Sequence, residues 1–209
     1  MLRSCSKIVM LLLAVVSTTA CKTYFPVRES ASLVKANKMF VPDTGMRVFY
    51  QPYKDSLDKI MKVQLAELTE DLTKKLPEST LGNMMADILK KKTAEYTKDE
   101  IDVAVLNYGG IRTASLTKGA LNVEHAYLLM PFDTYVVEQI LTGQQLNDFC
   151  DSIAMKNGWP VSGISFQIKE KKAIHVLVNG KPLDVNRKYK VAINDYLANG
   201  GDGMTFLKA

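Results

Sequence analysis

The chain has 209 residues, of which 47% are hydrophobic and 23% are charged. This composition is typical of a globular protein and excludes disordered, collagen-like and disulfide-rich chains. Its two histidines, His125 and His175, are too few for a His-rich binuclear metal centre. The net charge of +5 is small and comes without a long Lys/Arg block, so nucleic acid is not an expected partner.

Residues 1–20 have the features of a secretory signal. Arg3 and Lys7 precede an apolar run over residues 8–16. Small residues then lead to Cys21. A cysteine in this place resembles a bacterial lipoprotein signal. We therefore expect cleavage before Cys21, lipidation of that cysteine, and a periplasm-facing protein of the bacterial cell envelope. The alternative is an ordinary signal peptide with an incidental cysteine.

The next part of the chain predicts a tether and edge segment over residues 21–49, followed by helices. Apolar residues recur at helical spacing from Leu57 to Leu72, which predicts an amphipathic helix. A second helix is expected after Ser79, where an N-capping residue precedes a run with one apolar face.

Strands and helices alternate in the rest of the chain. Strands are expected at residues 101–107, 134–141 and 189–195, and a strand pair is expected over residues 164–183 with a turn at Asn179-Gly180. A short helix follows Gly143, and Cys150 falls on its apolar face, which favours a small buried hydrophobe over a nucleophile. The pattern predicts a single α/β domain over residues 50–209, with α+β as the alternative, in which helices flank a mixed sheet.

The segment from Asn107 to Arg112 is the first candidate binding segment. Gly109 and Gly110 follow a buried strand, where glycines let the backbone approach a ligand closely. The Asn107 amide can donate and accept toward a base edge, and the Arg112 guanidinium suits phosphate or carboxylate. A tight turn with a surface arginine is the alternative.

Two further segments carry candidate ligand contacts. Phe132 follows a proline at the start of a loop and is placed to stack on a planar ligand, although aromatic residues more often fill a core. Asp202 lies in the glycine-rich segment from Asn194 to Met204, which presents either a nest of N–H groups or a terminal turn. Its carboxylate either orients that loop or meets a ribose hydroxyl, and no second ligand stands at metal-binding spacing.

Taken in order, four motifs resemble the C-terminal, substrate-binding domain of the 5′-nucleotidase family: PESTLGNMMAD, LNYGGIR, LLMPFDTYVVEQILTGQQL and YKVAINDYLANGGDGM. The resemblance covers about residues 50–207. It implies that Asn107 meets a base, that Arg112 meets the phosphate or nearby polar groups, and that Phe132 stacks on one face of the base. It also implies a second aromatic residue after the GGDG sequence that completes a sandwich around the base. This chain has Met204 there, which we expect to lie against the base in its place. The resemblance further implies an arginine at position 77, where this chain has Pro77.

The same resemblance implies a partner. Enzymes of the family also have a metallophosphoesterase domain with two metal ions, and its Asp-x-His, Gly-Asn-His and Gly-His-x-His motifs do not occur in this sequence. We therefore expect a domain that is inactive alone, binds no metal or other cofactor itself, and positions a nucleoside or nucleotide for a separately encoded metallophosphoesterase. The alternatives are a stand-alone nucleoside-binding lipoprotein and a degenerate interaction domain.

Overall fold

The computed structural model describes Val41 and residues 43–208. The predicted signal over residues 1–20, the lipidation site Cys21 and most of the predicted tether lie outside the described residues. Among the described residues, 48–208 form one compact unit. None of the described helices has the length and hydropathy needed to cross a bilayer.

The helices of the described residues are α1 (Thr44–Met61), α2 (Thr80–Thr97), α3 (Val123–Leu129), α4 (Gly143–Met155) and α5 (Asp195–Ala198). The strands are β1 (Gln64–Leu68), β2 (Leu72–Thr73), β3 (Val103–Val105), β4 (Ser115–Leu116), β5 (Gly119–Asn122), β6 (Val136–Thr142), β7 (Val161–Ser162), β8 (Ile164–Lys169), β9 (Lys172–Val178), β10 (Lys181–Pro182) and β11 (Lys188–Asn194). Short 3₁₀ turns cover Tyr108–Gly110, Gly201–Gly203 and Thr205–Leu207.

The central sheet has four strands in the order β6-β11-β3-β7. β11 runs parallel to β3, with Val191 opposite Val103, and antiparallel to β6. β7 pairs antiparallel with the other edge of β3. The predicted mixed sheet flanked by helices is therefore confirmed. The remaining strands form separate antiparallel sheets, β10-β9-β8, β1-β5 and β2-β4.

Both faces of β3 are buried, as its continuous apolarity predicted. Val103 and Val105 belong to the main core, which also contains Phe149 of α4. Ala104 lies in a second cluster with Ala192 of β11, against which the partly buried Leu89 of α2 packs. Since successive side chains of a strand point to opposite faces, α2 and α4 cover opposite faces of the central sheet.

The chain between Leu57 and Leu72 departs from the predicted helix. α1 begins at Thr44, inside the predicted tether, and ends at Met61. The chain then forms β1, which pairs antiparallel with β5 from Gln64↔Asn122 to Leu68↔Gly119. The helix prediction is wrong beyond Met61 because this pairing, with a strand more than fifty residues later, overrides the local spacing of leucines.

The predicted strand pair of residues 164–183 exists, but it turns at a different place. Glu170 and Lys171 join β8 to β9, and both have positive φ, at 50° and 66°. Asn179 and Gly180 make the next turn, between β9 and β10. Consecutive residues with positive φ suit the twist of a two-residue hairpin.

Two local predictions are confirmed by the helices. Ser79 caps α2, where its Oγ accepts a hydrogen bond from the Gly82 backbone N–H at 3.1 Å. Cys150 is 1% exposed within the main core, and burial raises the pKa of its thiol to about 12. A buried thiol with such a raised pKa is a poor nucleophile, so Cys150 is a core residue.

Candidate ligand-binding site

A cavity of about 360 Å³ lies at the carboxyl ends of β3 and β11. The two strands are parallel neighbours, so the segments that follow them meet at the same edge of the sheet, where open α/β sheets bind ligands. The residues that line this cavity are Asn107, Gly109, Gly110, Arg112, Met130, Phe132, Thr134, Asn194, Tyr196 and Asp202. The structure therefore brings together all three candidate segments of the sequence analysis.

Asn107 links the two strand ends. Its Nδ2 donates to Asp202 Oδ2 at 3.1 Å, and its Oδ1 accepts from Asn194 Nδ2 at 3.1 Å. The Asn194 Oδ1 in turn accepts from the Leu197 backbone N–H at the start of α5. Asn107 and Asn194 are only 7% and 6% exposed. The Asn107 amide therefore uses some of its hydrogen-bonding groups within the protein. These hydrogen bonds fix the residues at the floor of the cavity.

Gly110 gives this arrangement the space it needs. A Cβ at Gly110 would lie 2.8 Å from Asn107 Oδ1, closer than side-chain atoms pack. A Cβ at Gly109 would have Asn107 Nδ2 as its nearest neighbour, at 3.9 Å, which is an ordinary contact. Gly110 is therefore required by the packing of Asn107, whereas Gly109 leaves the cavity wall open toward a ligand.

The Asp202 carboxylate is held from two sides. Besides the Asn107 amide, the Tyr196 hydroxyl donates to Asp202 Oδ1 at 3.1 Å. The Asp202 backbone N–H also donates to the Tyr196 Oη at 3.1 Å. Asp202 adopts a left-handed conformation with φ of 53°. Its side chain is exposed, so the carboxylate keeps acceptor sites for a ligand hydroxyl.

Phe132 and Arg112 form the other wall of the cavity. The Phe132 side chain is 42% exposed, which argues against the alternative of a core phenylalanine. The Arg112 guanidinium lies 4.9 Å from the centroid of the Phe132 ring, within the range of a cation–π interaction. The Arg112 backbone N–H donates to the Leu129 carbonyl at 2.8 Å, which ties the two loops together. The side chains of both residues therefore face the same space.

Met204 does not line the cavity, and its expected place beside a base is wrong. Its side chain is 1% exposed and belongs to the main core. The turn at Gly201–Gly203 directs the chain inward, with the Met204 backbone N–H bonded to the Gly201 carbonyl. The aromatic residue that the sequence analysis missed is Tyr196, which lines the cavity and is 46% exposed. Its position just after a strand that ends beside Asn107 is the signal that could have identified it.

Gly201 makes room for the Tyr196 ring. A Cβ at Gly201 would lie 2.5 Å from two atoms of that ring. The glycine-rich segment therefore leaves space in which the Tyr196 ring packs. The Tyr196 hydroxyl in turn fixes Asp202. The sequence left two roles for the Asp202 carboxylate, orienting its own loop or meeting a ribose hydroxyl. In the structure this carboxylate is held in place beside the cavity.

Lys74 is a second cation near the site, and the sequence analysis did not single it out. Its Nζ donates to the Ile111 carbonyl and lies 4.0 Å from the centroid of the Tyr108 ring. Partial burial lowers the pKa of Lys74, and the positive charge of Arg112 lowers it further. Within residues 43–208, neither Lys74 nor Arg112 forms an ion pair with a carboxylate.

A larger cavity, of about 560 Å³, lies beside α2 and β8. It contains none of the candidate residues. Its two carboxylates are Glu78 and Asp87, and Asp87 already accepts a hydrogen bond from Ser162 Oγ at 2.6 Å. No group of three or more His, Cys, Asp or Glu residues in the described part of the chain is placed to hold a metal ion. The smaller cavity, with its aromatic and charged walls, is the candidate site.

A family model described as the C-terminal domain of 5′-nucleotidase matches residues 59–209. The chain belongs to this family. The match confirms the family resemblance and includes every residue that lines the cavity. Membership makes a substrate-binding role plausible for the cavity, because the lining residues come from the motifs that carry the resemblance.

Individual relatives agree with this assignment. A 5′-nucleotidase of Vibrio parahaemolyticus is 27% identical over 174 residues, which are 77% of this chain and 29% of that protein. The protein UshA of Escherichia coli is 30% identical over 117 residues, 53% of this chain and 21% of its own length. The chain thus spans less than a third of either of these curated relatives.

Solved structures show the same fold. A 5′-nucleotidase precursor of Thermus thermophilus aligns with a TM-score of 0.64 and 29% identity, over 78% of this chain and 35% of that one. The NAD nucleotidase of Haemophilus influenzae aligns with a TM-score of 0.59 at 22% identity, over 79% of this chain and 34% of that one. The second likeness concerns the fold alone.

Proposed function

We propose that the cavity binds a nucleoside or nucleotide, and that the domain is the substrate-binding part of a 5′-nucleotidase-type hydrolase in nucleotide catabolism. The observation that carries the proposal is that Phe132, Tyr196, Arg112 and Asp202 line one cavity at the carboxyl ends of β3 and β11. Two aromatic rings suit a base, a guanidinium suits a phosphate, and a carboxylate suits sugar hydroxyls.

The chemistry of the walls supports this choice of ligand. Stacking of a base on an aromatic side chain contributes about 1–3 kcal/mol. The Phe132 and Tyr196 rings are both partly exposed, so each keeps surface to offer a ligand. Asp202 is held by Asn107 and Tyr196 before any ligand arrives, which lowers the entropy cost of binding.

Titration calorimetry of the full chain with adenosine tests the proposal. We expect saturable binding that falls by at least about tenfold in Phe132→Ala, since the ring supplies stacking energy. Tyr96→Ala is the matched control, because Tyr96 lies on α2, is 90% exposed and does not line the cavity. Equal losses in the two variants, or no binding by the wild-type chain, would contradict the proposal.

We further propose that a separately encoded metallophosphoesterase supplies the metal ions and the attacking water. The proposal is supported by the small number of histidines and by family relatives in which the matched segment is less than a third of the protein. The chain then positions the substrate, and holding it in a reactive geometry is its contribution to the rate. The purified chain is expected to show no metal-dependent release of phosphate from AMP.

Purification from native membranes distinguishes this arrangement from the stand-alone binding lipoprotein. A metallophosphoesterase recovered in a fixed ratio to the chain supports the split hydrolase. Repeated recovery of the chain alone, still able to bind adenosine, supports the stand-alone module. A degenerate domain would bind no nucleoside, and Arg112→Ala would then change no ligand affinity.

We also propose that the chain is anchored by a lipid at Cys21 and faces the periplasm. The signal-like sequence of residues 1–20 supports this. Mass spectrometry of the mature N-terminal peptide is expected to show an acylated Cys21. Cys21→Ser is expected to release the chain from the membrane fraction, and a membrane-bound variant would contradict the anchor.

A further inference from the structure

We propose that the groove beside α2 and β8 binds an extended, positively charged peptide segment of a partner protein, which adds a strand to the free edge of β8. This groove is the cavity of about 560 Å³ that lies apart from the candidate site. The two cavities share no lining residue, so the proposal does not depend on nucleoside binding.

The groove follows the edge of β8 and does not lie against a face of its sheet. Every residue from Val161 to Ile168 lines it. Successive side chains of a strand point to opposite faces, so a cavity against one face would be lined by alternate residues only. The unbroken lining indicates that the backbone itself borders the groove. Residues 164–168 alone offer an edge of about 16 Å, at roughly 3.3 Å per residue.

This edge of β8 has backbone hydrogen-bonding groups to offer. β8 is the outer strand of the sheet β10-β9-β8, and no other strand of residues 43–208 pairs with it. Just after β9, the Asn179 backbone N–H donates to the Gly163 carbonyl at 2.8 Å. Because the backbone groups of an antiparallel strand alternate in direction, those of Ile164 point away from β9 and toward the groove. An unpaired edge of this kind is a template for an added strand.

The opposite wall of the groove, formed by α2 and the residues just before it, is negatively charged. Its charged side chains are Glu78 and Asp87. Glu78 Oε1 accepts from Asn83 Nδ2 at 2.9 Å, and Asp87 Oδ1 accepts from Ser162 Oγ at 2.6 Å. These bonds position the carboxylates, but within residues 43–208 neither carboxylate forms an ion pair. A lysine or arginine of the added strand would supply the missing positive charge.

Two lysines lie close to the groove without lining it. The Lys90 Nζ donates to Asn179 Oδ1 at 3.0 Å. The Lys156 Nζ lies 5.9 Å from the centroid of the Trp159 ring. Both ammonium groups therefore have partners of their own, and the charges that line the groove are the two carboxylates.

The walls of the groove favour a single extended segment over a second copy of this chain. A strand that enters must lie between β8 and α2. A second copy would present its own β8 with its own α2 beside it, and two acidic walls would meet. Like charges facing each other across an interface disfavour such pairing. Trp159 and Phe166 add apolar surface to the lining, which suits a strand of alternating apolar and basic side chains.

The test is an NMR titration of the ¹⁵N-labelled full chain with a capped peptide of seven alternating lysine and valine residues. At low ionic strength the backbone amide signals of residues 164–168 are expected to shift saturably, and those of Arg112 and Phe132 to stay in place. A peptide of alternating glutamate and valine is expected to bind at least about tenfold more weakly, because its charges repel the α2 wall. A lysine–valine peptide that is N-methylated at every residue is expected not to bind, since it has no N–H groups to donate to β8.

Charge variants of the α2 wall give a matched comparison. Glu78→Gln and Asp87→Asn each remove one charge but keep an oxygen that can accept the present hydrogen bond. The double variant is expected to bind the lysine–valine peptide about fivefold more weakly at low ionic strength. Asp148→Asn is the control, because Asp148 is exposed on α4 and does not line the groove, and it is expected to bind like the wild type.

The proposal is wrong if residues 164–168 do not respond to the lysine–valine peptide at concentrations well above millimolar. Equal binding of the N-methylated peptide would show that the edge of β8 is not used, and equal binding of the glutamate–valine peptide would remove the role of the charged wall. Equal losses in the double variant and in Asp148→Asn would contradict that role as well. Shifts of the same signals with protein concentration, in the absence of peptide, would assign the groove to a second copy of the chain and overturn the choice of partner.

Discussion

Asn107 and Asp202 are separated by 95 positions in the chain, yet the Asn107 Nδ2 donates to the Asp202 carboxylate at 3.1 Å. The same Asn107 amide accepts from Asn194, so three polar side chains from two strand ends form one chain of hydrogen bonds. The floor of the cavity therefore depends on one side chain that is almost fully buried.

Replacing Asn107 with alanine is expected to destabilise the protein and weaken adenosine binding. The substitution leaves the buried Asn194 amide without its acceptor, at a cost of about 1–3 kcal/mol, and frees Asp202 on one side. Urea denaturation measures the first effect and calorimetry the second. Asn186→Ala, at an exposed turn position, is the control and is expected to change stability by less than about 0.5 kcal/mol. Equal stabilities would show that the network contributes nothing.

The two glycines that follow Tyr108 are expected to differ in their tolerance of alanine. Gly110→Ala brings a methyl group to 2.8 Å from Asn107 Oδ1 and should destabilise by roughly 1–3 kcal/mol, as overpacking does. Gly109→Ala meets nothing nearer than 3.9 Å and should fold with wild-type stability. Its effect, if any, should be on ligand affinity, because Gly109 lines the cavity. Thermal unfolding of the two variants side by side makes the comparison, and similar melting temperatures would contradict it.

Two substitutions of Tyr196 separate the roles of its ring and hydroxyl. Tyr196→Ala removes the ring and should weaken adenosine binding by about tenfold or more, since stacking contributes about 1–3 kcal/mol. Tyr196→Phe keeps the ring and loses only the hydrogen bonds with Asp202, so most of the affinity should remain. If phenylalanine is as harmful as alanine, Tyr196 acts through Asp202 and not by stacking. Calorimetry with the same ligand measures both variants.

Preference for AMP over adenosine is expected to decline as the pH rises. Burial and the charge of Arg112 both lower the pKa of Lys74, so its ammonium group loses its proton at a pH below the ordinary value of 10.5. The charged form, which attracts phosphate, prevails below that lowered pKa and is lost above it. Above about pH 7.5 the phosphate of AMP is already mostly dianionic, so its own titration adds little.

Calorimetry from about pH 7.5 upward in wild type and Lys74→Arg checks this pH dependence. The arginine variant should keep its preference over the whole range, because a guanidinium does not lose its proton there. Tyr108 and Arg112 lie beside position 74 in both proteins, so their contributions to the preference for AMP are the same in the two. Parallel declines in the two proteins would assign the effect to another group.

The sequence predicted well the parts of the fold whose burial can be recognised from a run of consecutive residues. Every residue from Ile101 to Asn107 is buried, and the apolar run of these residues predicted a strand covered on both faces. The cap at Ser79 and the core position of Cys150 were likewise local signals. β1 was missed because its pairing with β5 depends on a distant partner, and helical spacing of leucines is compatible with either structure.

The site shows the same division between local and distant information. Glycine pairs and polar residues after strands identified the segments that meet at the cavity. Which side chain of the last segment faces the cavity depends on turn geometry, and the sequence analysis expected Met204 where the structure places Tyr196. Lys74 was missed because its contact with Ile111 spans 37 positions in the chain. No feature near Lys74 in the sequence predicts this contact.

The order of strands in the central sheet has a consequence for how the chain folds during its synthesis. β11, the last strand of the described residues, lies between β6 and β3. The inner edges of those two strands have no partner until residues 188–194 have left the ribosome or the translocation channel. Exposed strand edges promote aggregation, so a folding helper that covers β3 and β6 should matter most in that interval.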